Sequence, residues 1–261
     1  MSITNSKFGY FPANGIKLYY EIYGSGKPLV LIHGGGSSGF CDFEETVKRL
    51  QEQYQLIVLD MQNHGRSEHR KVPETFEQDA RDIVKVLDHL AIVKASFFGF
   101  SNGATTILKL ASLFPGRVDK LIAASGNTKR AGLLDGFFDS MATSTIEVMP
   151  PYLKENFLKL NPDPEDFKNM YEKDSQRMIN FQDFEAGTLE DICCPVFLIG
   201  GDQDVIKGVH LAEMQKQIPN ARLMILPANH GNYMMKDFDG EIDEGLIDFT
   251  IFQVKKFLEA K

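Results

Sequence analysis

Ala95-Ser96-Phe97-Phe98-Gly99-Phe100-Ser101-Asn102-Gly103-Ala104 runs from a short apolar segment, through a serine flanked by glycines, into a helix-forming stretch. It reads as a strand, a sharp turn and a helix. A serine at the tip of so tight a turn is held under backbone strain, and glycines two places before and two after remove the Cβ atoms that would collide there. Its hydroxyl then projects freely. The next amide, that of Asn102, falls in the first turn of the helix, where N–H groups lack intrahelical partners and the dipole favours negative charge. Such an amide can hold an oxyanion.

Outward from this turn, β-rich segments alternate with longer helical patterns. Ile16 to Tyr23 alternates like a half-buried strand and ends at Gly24-Ser25-Gly26, while Pro28 to Ile32 and Leu56 to Leu59 are compact apolar runs suited to an interior parallel sheet. Further strands are predicted at Ala95 to Phe98, Lys120 to Ala124, Pro195 to Ile199 and Arg222 to Leu226. Phe76, Ala80, Ile83, Val84, Leu87 and Leu90 fall at helical spacing, and Ala104 to Phe114 continues helically until Pro115-Gly116. A last helix is predicted from about Glu244 to Ala260, with Ile247, Ile251, Val254 and Leu258 on one face. The economical architecture is α/β, a doubly wound and mostly parallel sheet. From Asn127 to about Glu190 the alternation stops. Helical fragments, the Asn161-Pro162-Asp163-Pro164 breaker and many Phe and Met residues predict a helical cap at 127–190, inserted into a core of 1–126 and 191–261. Phe137, Phe138, Met141, Met149, Phe157, Phe181 and Phe184 are candidates to line an apolar pocket beneath it.

The chain has 261 residues, 43% hydrophobic and 25% charged, which suits one sheet with an insertion. No apolar stretch approaches the roughly 18 residues of a membrane span. A net charge of −8 without a basic cluster argues against a nucleic-acid surface. Residues Met1 to Gly15 lack a basic start and an apolar core, so a cytoplasmic location is expected. Cys41, Cys193 and Cys194 are odd in number, and the adjacent pair is unsuited to a disulfide, so they are read as reduced thiols. No C-x-x-C or H-E-x-x-H spacing occurs, and neither metal nor cofactor is expected.

A serine at its free pKa is a weak nucleophile and needs a general base, which in turn needs an acceptor to fix its tautomer. Asp204 follows one predicted strand in Gly201-Asp202-Gln203-Asp204, and His230 follows another in Ala228-Asn229-His230-Gly231. Both then lie with Ser101 at carboxyl ends of strands, where ligands gather in open parallel sheets. Asp202 competes with Asp204, and either could cap the following helix. His33, His64, His69, His89 and His210 compete with His230, but none combines a late position with a strand end. The glycines of His33-Gly34-Gly35-Gly36 let the backbone approach a tetrahedral intermediate, with Gly35 or Gly36 as the second amide donor.

At these residues the chain resembles the α/β-hydrolase superfamily. The match comprises His33 to Gly36, the loop from Asp60 through His64-Gly65-Arg66-Ser67, the Gly99 to Gly103 elbow, Gly201-x-x-Asp204, His230 and the order Ser, Asp, His. It covers nearly the whole chain from about Gly15. The resemblance implies a Ser101-His230-Asp204 triad beneath a cap; Gly35, ahead of Gly36, and Asn102 are read from the loop and the helix start as the oxyanion hole. It also implies that His64, Arg66 and Ser67 stabilise a loop beneath the site. Asn63 stands where the family usually has glycine, and the segment after His230 is longer and more acidic than in its simplest members.

The expected activity is serine hydrolysis of a small carboxylic ester, or a related acyl substrate, through an acyl-enzyme. Cofactor-free C–C bond hydrolases and perhydrolases use the same frame, and a ligand receptor with a slow or vestigial triad is the alternative of another class. Haloalkane dehalogenases and epoxide hydrolases place aspartate where this chain has Ser101. A small-molecule substrate is the expected partner, with no nucleic acid and no membrane.

Overall fold

The central strands are unbroken apolar runs whose successive residues point to opposite faces of a sheet, so both faces must be covered. A computed structural model, which describes Ile3 and residues 5–260, shows how. Eight strands form one sheet: β1 (Asn5–Ala13), β2 (Ile16–Tyr23), β3 (Lys27–Ile32), β4 (Tyr54–Leu59), β5 (Ala95–Phe100), β6 (Val118–Ala124), β7 (Val196–Gly201) and β8 (Ala221–Leu226). Their order is β1-β2-β4-β3-β5-β6-β7-β8. β1 pairs antiparallel with β2, and β2 with β4; every later pairing is parallel.

Val30 and Ile32 of β3 and Phe97 of β5 face one layer, where α2 (Phe76–His89), α3 (Asn102–Leu113) and α7 (Gly208–Gln217) pack. Leu29, Leu31 and Phe98 face the other, against α1 (Gly39–Leu50) and α8 (Glu244–Glu259). The face of α8 is the one its sequence predicts, since Ile247, Ile251, Val254 and Leu258 are all buried. α2 starts where Thr75 accepts a hydrogen bond from Gln78 N–H, a side-chain cap that satisfies one orphan donor.

Two elements exceed the sequence reading. β1 was not predicted, and it is an edge strand with Phe8 and Tyr10 exposed, where Pro12 is tolerated. The signal was present in Asn14-Gly15, whose φ values of 47° and 93° form the two-residue turn that joins β1 to β2. α1 was also missed, although Phe43, Val47 and Leu50 mark its buried side.

Between β6 and β7 the chain forms α4 (Phe137–Thr143), α5 (Pro151–Leu160) and α6 (Pro164–Ile179), with a small satellite core of Phe157, Phe167 and Met170. Among the described residues this segment contains no strand, and Leu133 makes an isolated bridge to Ile206. The ends of β3, β5, β6, β7 and β8 lead into His33, Ser101, Ser125, Asp204 and His230, all at one edge of the sheet. Among the described residues, no helix is long and apolar enough to cross a membrane.

Candidate active site

Ser101 sits at φ 52° and ψ −118°, a conformation that side-chain-bearing residues rarely adopt. Packing enforces it. A Cβ on Gly99 would collide with the Gly103 carbonyl, and one on Gly103 with the Ile32 carbonyl, so both glycines are needed for the turn to fit between β3 and α3. Ser101 N–H donates to Ala124 O at 2.8 Å, tying the turn to β6.

The Ser101 hydroxyl lies 3.2 Å from His230 Nε2, and His230 Nδ1 lies 2.7 Å from Asp204 Oδ1. The carboxylate accepts from Nδ1–H, which leaves Nε2 as the lone-pair nitrogen facing the hydroxyl. Asp204 is 4% exposed. Burial pushes its pKa up, but the hydrogen bond and charge of His230, the Ser125 hydroxyl and the Ile206 N–H bring it below the ordinary value. Asp202 has another task, accepting Ala228 N–H at 3.0 Å and bracing the turn that carries His230. The His230 ring packs 4.7 Å from the Phe100 ring, and a Cβ on Gly231 would come within 2.8 Å of Phe100 Cζ.

Two supports of Asp204 had no sequence signature. The Ser125 hydroxyl donates to Asp204 Oδ2 and meets the Tyr233 hydroxyl at 2.6 Å. Tyr233 is fully buried, and Ser125 stands at φ 51° at the end of β6. That strain aims its hydroxyl at a carboxylate 79 residues further along the chain.

Three side chains hold the 33–36 loop. Buried His33 donates from Nδ1 to Gly34 O at 2.6 Å and accepts Met61 N–H on Nε2 at 3.0 Å, a pattern that requires the neutral ring. Burial accordingly pushes its pKa down to about 3. Asp42 accepts Gly34 N–H at 2.8 Å, and Asp174 of α6 accepts Gly36 N–H at 2.6 Å. Gly36 is therefore committed. Among the described residues no acceptor meets the N–H of Gly35 or of Asn102. A Cβ on Gly35 would press to 2.7 Å from Asn102 Nδ2 and 2.9 Å from Asp174 Oδ2, so a side chain there would have to displace one of them.

The Asp60 loop lies beside this one. Asp60 accepts from Gly39 N–H at 2.9 Å and Arg66 N–H at 2.9 Å, and the Ser67 hydroxyl donates to Asp60 O at 2.6 Å. Asn63 adopts φ 65°, a left-handed conformation that asparagine tolerates best after glycine, which explains its place there. His64 does more than brace the loop. Its Nδ1 faces Gln62 O at 2.8 Å and its Nε2 faces Asp174 Oδ2 at 2.8 Å, and both partners only accept. Gly36 N–H also lies 3.2 Å from Nε2, but it is closer to Asp174 Oδ2 at 2.6 Å, so the carboxylate takes that donor and the adjacent negative charge favours the imidazolium form of His64. Burial acts against this, but the Asp174 charge and hydrogen bond push its pKa up to about 9. Burial likewise acts to raise Asp174, yet the charges of His64 and Arg177 hold it well below the usual carboxylate range.

A cavity of about 320 Å³ opens on Ser101, His230, Asn102 and Gly35. Its walls are mostly apolar, from Leu133, Phe137, Met141, Met149, Leu153 and Ile206. Of the seven residues read as pocket candidates, Phe137, Met141 and Met149 are in the wall, and the other four are elsewhere. Phe138 packs under Arg130, Phe157 against Phe167, and Phe181 and Phe184 line a larger cleft of about 710 Å³ behind Arg177 that includes none of Ser101, His230 or Asp204. Helical spacing could not separate these positions. The competing histidines serve structure: His89 stacks on Phe11 at 4.5 Å, His210 accepts Thr128 N–H at 3.1 Å, and His69 meets Asn169 of α6 at 2.5 Å.

A family model described as alpha/beta hydrolase fold matches residues 27–237. The human serine hydrolase BPHL is 26% identical over 95% of this chain and 87% of its own. Among solved structures, the 2-hydroxy-6-oxo-6-phenylhexa-2,4-dienoate hydrolase of Rhodococcus sp. strain RHA1 superposes with a TM-score of 0.78 at 18% identity, over 99% of this chain and 100% of its own. An esterase of Exiguobacterium antarcticum superposes with a TM-score of 0.77 at 22% identity, over 96% and 99%. Both structural likenesses are likenesses of fold.

Proposed function

The chain belongs to the alpha/beta hydrolase fold family, and from that premise we propose that it hydrolyses a small carboxylic ester with an apolar acyl group through an acyl-enzyme on Ser101. The observation that carries this reading is the unbroken line from Asp204 through His230 to the Ser101 hydroxyl, at 2.7 and 3.2 Å, facing an apolar cavity. The names serine hydrolase and esterase among the relatives point the same way.

In the proposed mechanism His230 Nε2 takes the Ser101 proton as Oγ bonds to the ester carbonyl carbon. Asp204 holds the ring and stabilises the imidazolium that forms. The carbonyl oxygen becomes an oxyanion, and the amides of Asn102 and Gly35 donate to it. Collapse breaks the bond to the alcohol, which leaves with the proton from His230. Water then attacks the acyl-enzyme, giving its proton to His230, and the acid departs as Ser101 regains a proton. His33, Asp42 and Asp174 fix the loop that bears Gly35, so the donors are in place before charge develops.

The test is a panel of p-nitrophenyl esters of increasing acyl length, with Ser101→Ala as the control. The variant should lose about 10³-fold or more in turnover. Undiminished turnover by the purified variant would overturn the assignment.

A further inference from the structure

The acyl pocket contains a charge that the proposed chemistry does not use. Among the described residues lining the cavity there is no lysine or arginine, and Asp174 is its one carboxylate. Asp174 Oδ2 accepts from Gly36 N–H at 2.6 Å and His64 Nε2–H at 2.8 Å, while Oδ1 accepts from Arg177 Nη2–H. Three donors, two of them on cations, keep this carboxylate ionised beside the Gly35 loop. Neither cation is presented to a substrate. His64 spends its second N–H on Gln62 O, and Arg177 directs Nη1 to Asp79 at 2.8 Å and lines the larger cleft instead.

Resting on the Ser101 hydrolase reading, we propose that Asp174 makes the pocket charge-selective, admitting uncharged acyl groups and rejecting those that end in a carboxylate. A substrate carboxylate would leave water for a mostly apolar wall, meet no cationic donor there, and approach a fixed negative charge. Burying the substrate carboxylate without a partner is enough to lower a rate about 100-fold, and the Asp174 charge, offset in part by His64 and Arg177, adds to it.

The experiment compares kcat/KM for p-nitrophenyl 6-methylheptanoate and for the near-isosteric p-nitrophenyl hemiadipate, which differ in a terminal isopropyl against a carboxylate. Wild type should prefer the neutral ester about 100-fold, and Asp174→Asn should reduce that preference at least about tenfold. Any loosening of the Gly36 loop slows both esters alike and cancels in the ratio. A wild-type ratio near one, or a ratio unchanged in Asp174→Asn, overturns the proposal. Phosphonylation of Ser101 by an uncharged fluorophosphonate separates the two ideas. Absence of both turnover and label defeats the hydrolase reading, and calorimetric binding of 6-methylheptanamide against adipate monoamide then decides selectivity. Binding of the neutral amide alone supports it. Equal binding, or none, overturns it.

Discussion

Replacing His64 by glutamine should convert a pH-dependent contribution to stability into a pH-independent one. His64 is 2% exposed, and its two ring nitrogens face a carbonyl and a carboxylate, so the folded protein favours the charged ring. Its pKa is pushed up from 6.5 to about 9 despite burial, by the charge and hydrogen bond of Asp174. The folded pKa lies above the unfolded one. The contribution is therefore complete below about pH 6.5 and is lost as pH rises through about 9. A shift of about 2.5 units corresponds to about 3 kcal/mol. Removing one partner of a buried pair costs about 3–5 kcal/mol, so His64→Gln should be less stable than wild type by that amount near pH 6. Near pH 10 the gap should shrink by about 3 kcal/mol.

Urea unfolding of both proteins at about pH 6, 7.5 and 10 measures this. Comparing the two matters because other groups titrate in the alkaline range, and their contributions cancel in the difference. The imidazole proton resonances of wild type give an independent reading, since one histidine should still be charged near pH 8. A gap that stays flat with pH, or a His64 resonance titrating below pH 7, would refute the doubly protonated ring.

Three further outcomes are expected. Asp42→Asn should stabilise the protein at neutral pH: burial raises the Asp42 pKa to about 6, so its ionisation costs up to about 3 kcal/mol above that pH and nothing near pH 4. The amide can still accept Gly34 N–H, and a lower unfolding midpoint than wild type at pH 7.5 would contradict this. Ser125→Ala should strand the Tyr233 hydroxyl, costing about 1–3 kcal/mol, and should lower kcat several-fold with little change in KM; an unchanged kcat would show that Asp204 does not need it. Gly99→Ala should fail to give folded protein or should lose activity together with near-UV circular dichroism, because its Cβ has no room against Gly103; a fully active variant would mean that the elbow can relax.

What could be read from the chain in advance follows the range of the interactions involved. β3, β5 and β7 announced themselves because burial on both faces demands an unbroken apolar run, whereas β1 carries exposed Phe8 and Tyr10 at an edge and could be found only through its Asn14-Gly15 turn. The elbow was legible for a similar reason. Its strain is relieved within five residues, so Gly99 and Gly103 must appear at fixed offsets from Ser101. Asp204 and His230 stand out through strand ends and chain order, the choice between Asp202 and Asp204 rests on the resemblance, and in the structure Asp202 meets Ala228 N–H while Asp204 meets His230.

The residues that hold this constellation in place had no such signature. Ser125 reaches Asp204 across 79 residues, and Asp174 reaches Gly36 across 138, so nothing at fixed spacing marks either. Their placement nonetheless follows one rule. Each donor or acceptor around Ser101 is assigned its direction by a neighbour that can do only one thing: Asp204 can only accept from His230, His33 must donate to Gly34 O, and Asp174 occupies Gly36 N–H and so leaves Gly35 as the unengaged loop amide. The last of these comes from α6, within the segment inserted between β6 and β7. A segment that walls the cavity over Ser101 is thus bonded to the loop proposed to stabilise the oxyanion, and a change in α6 made to alter specificity should also register in kcat.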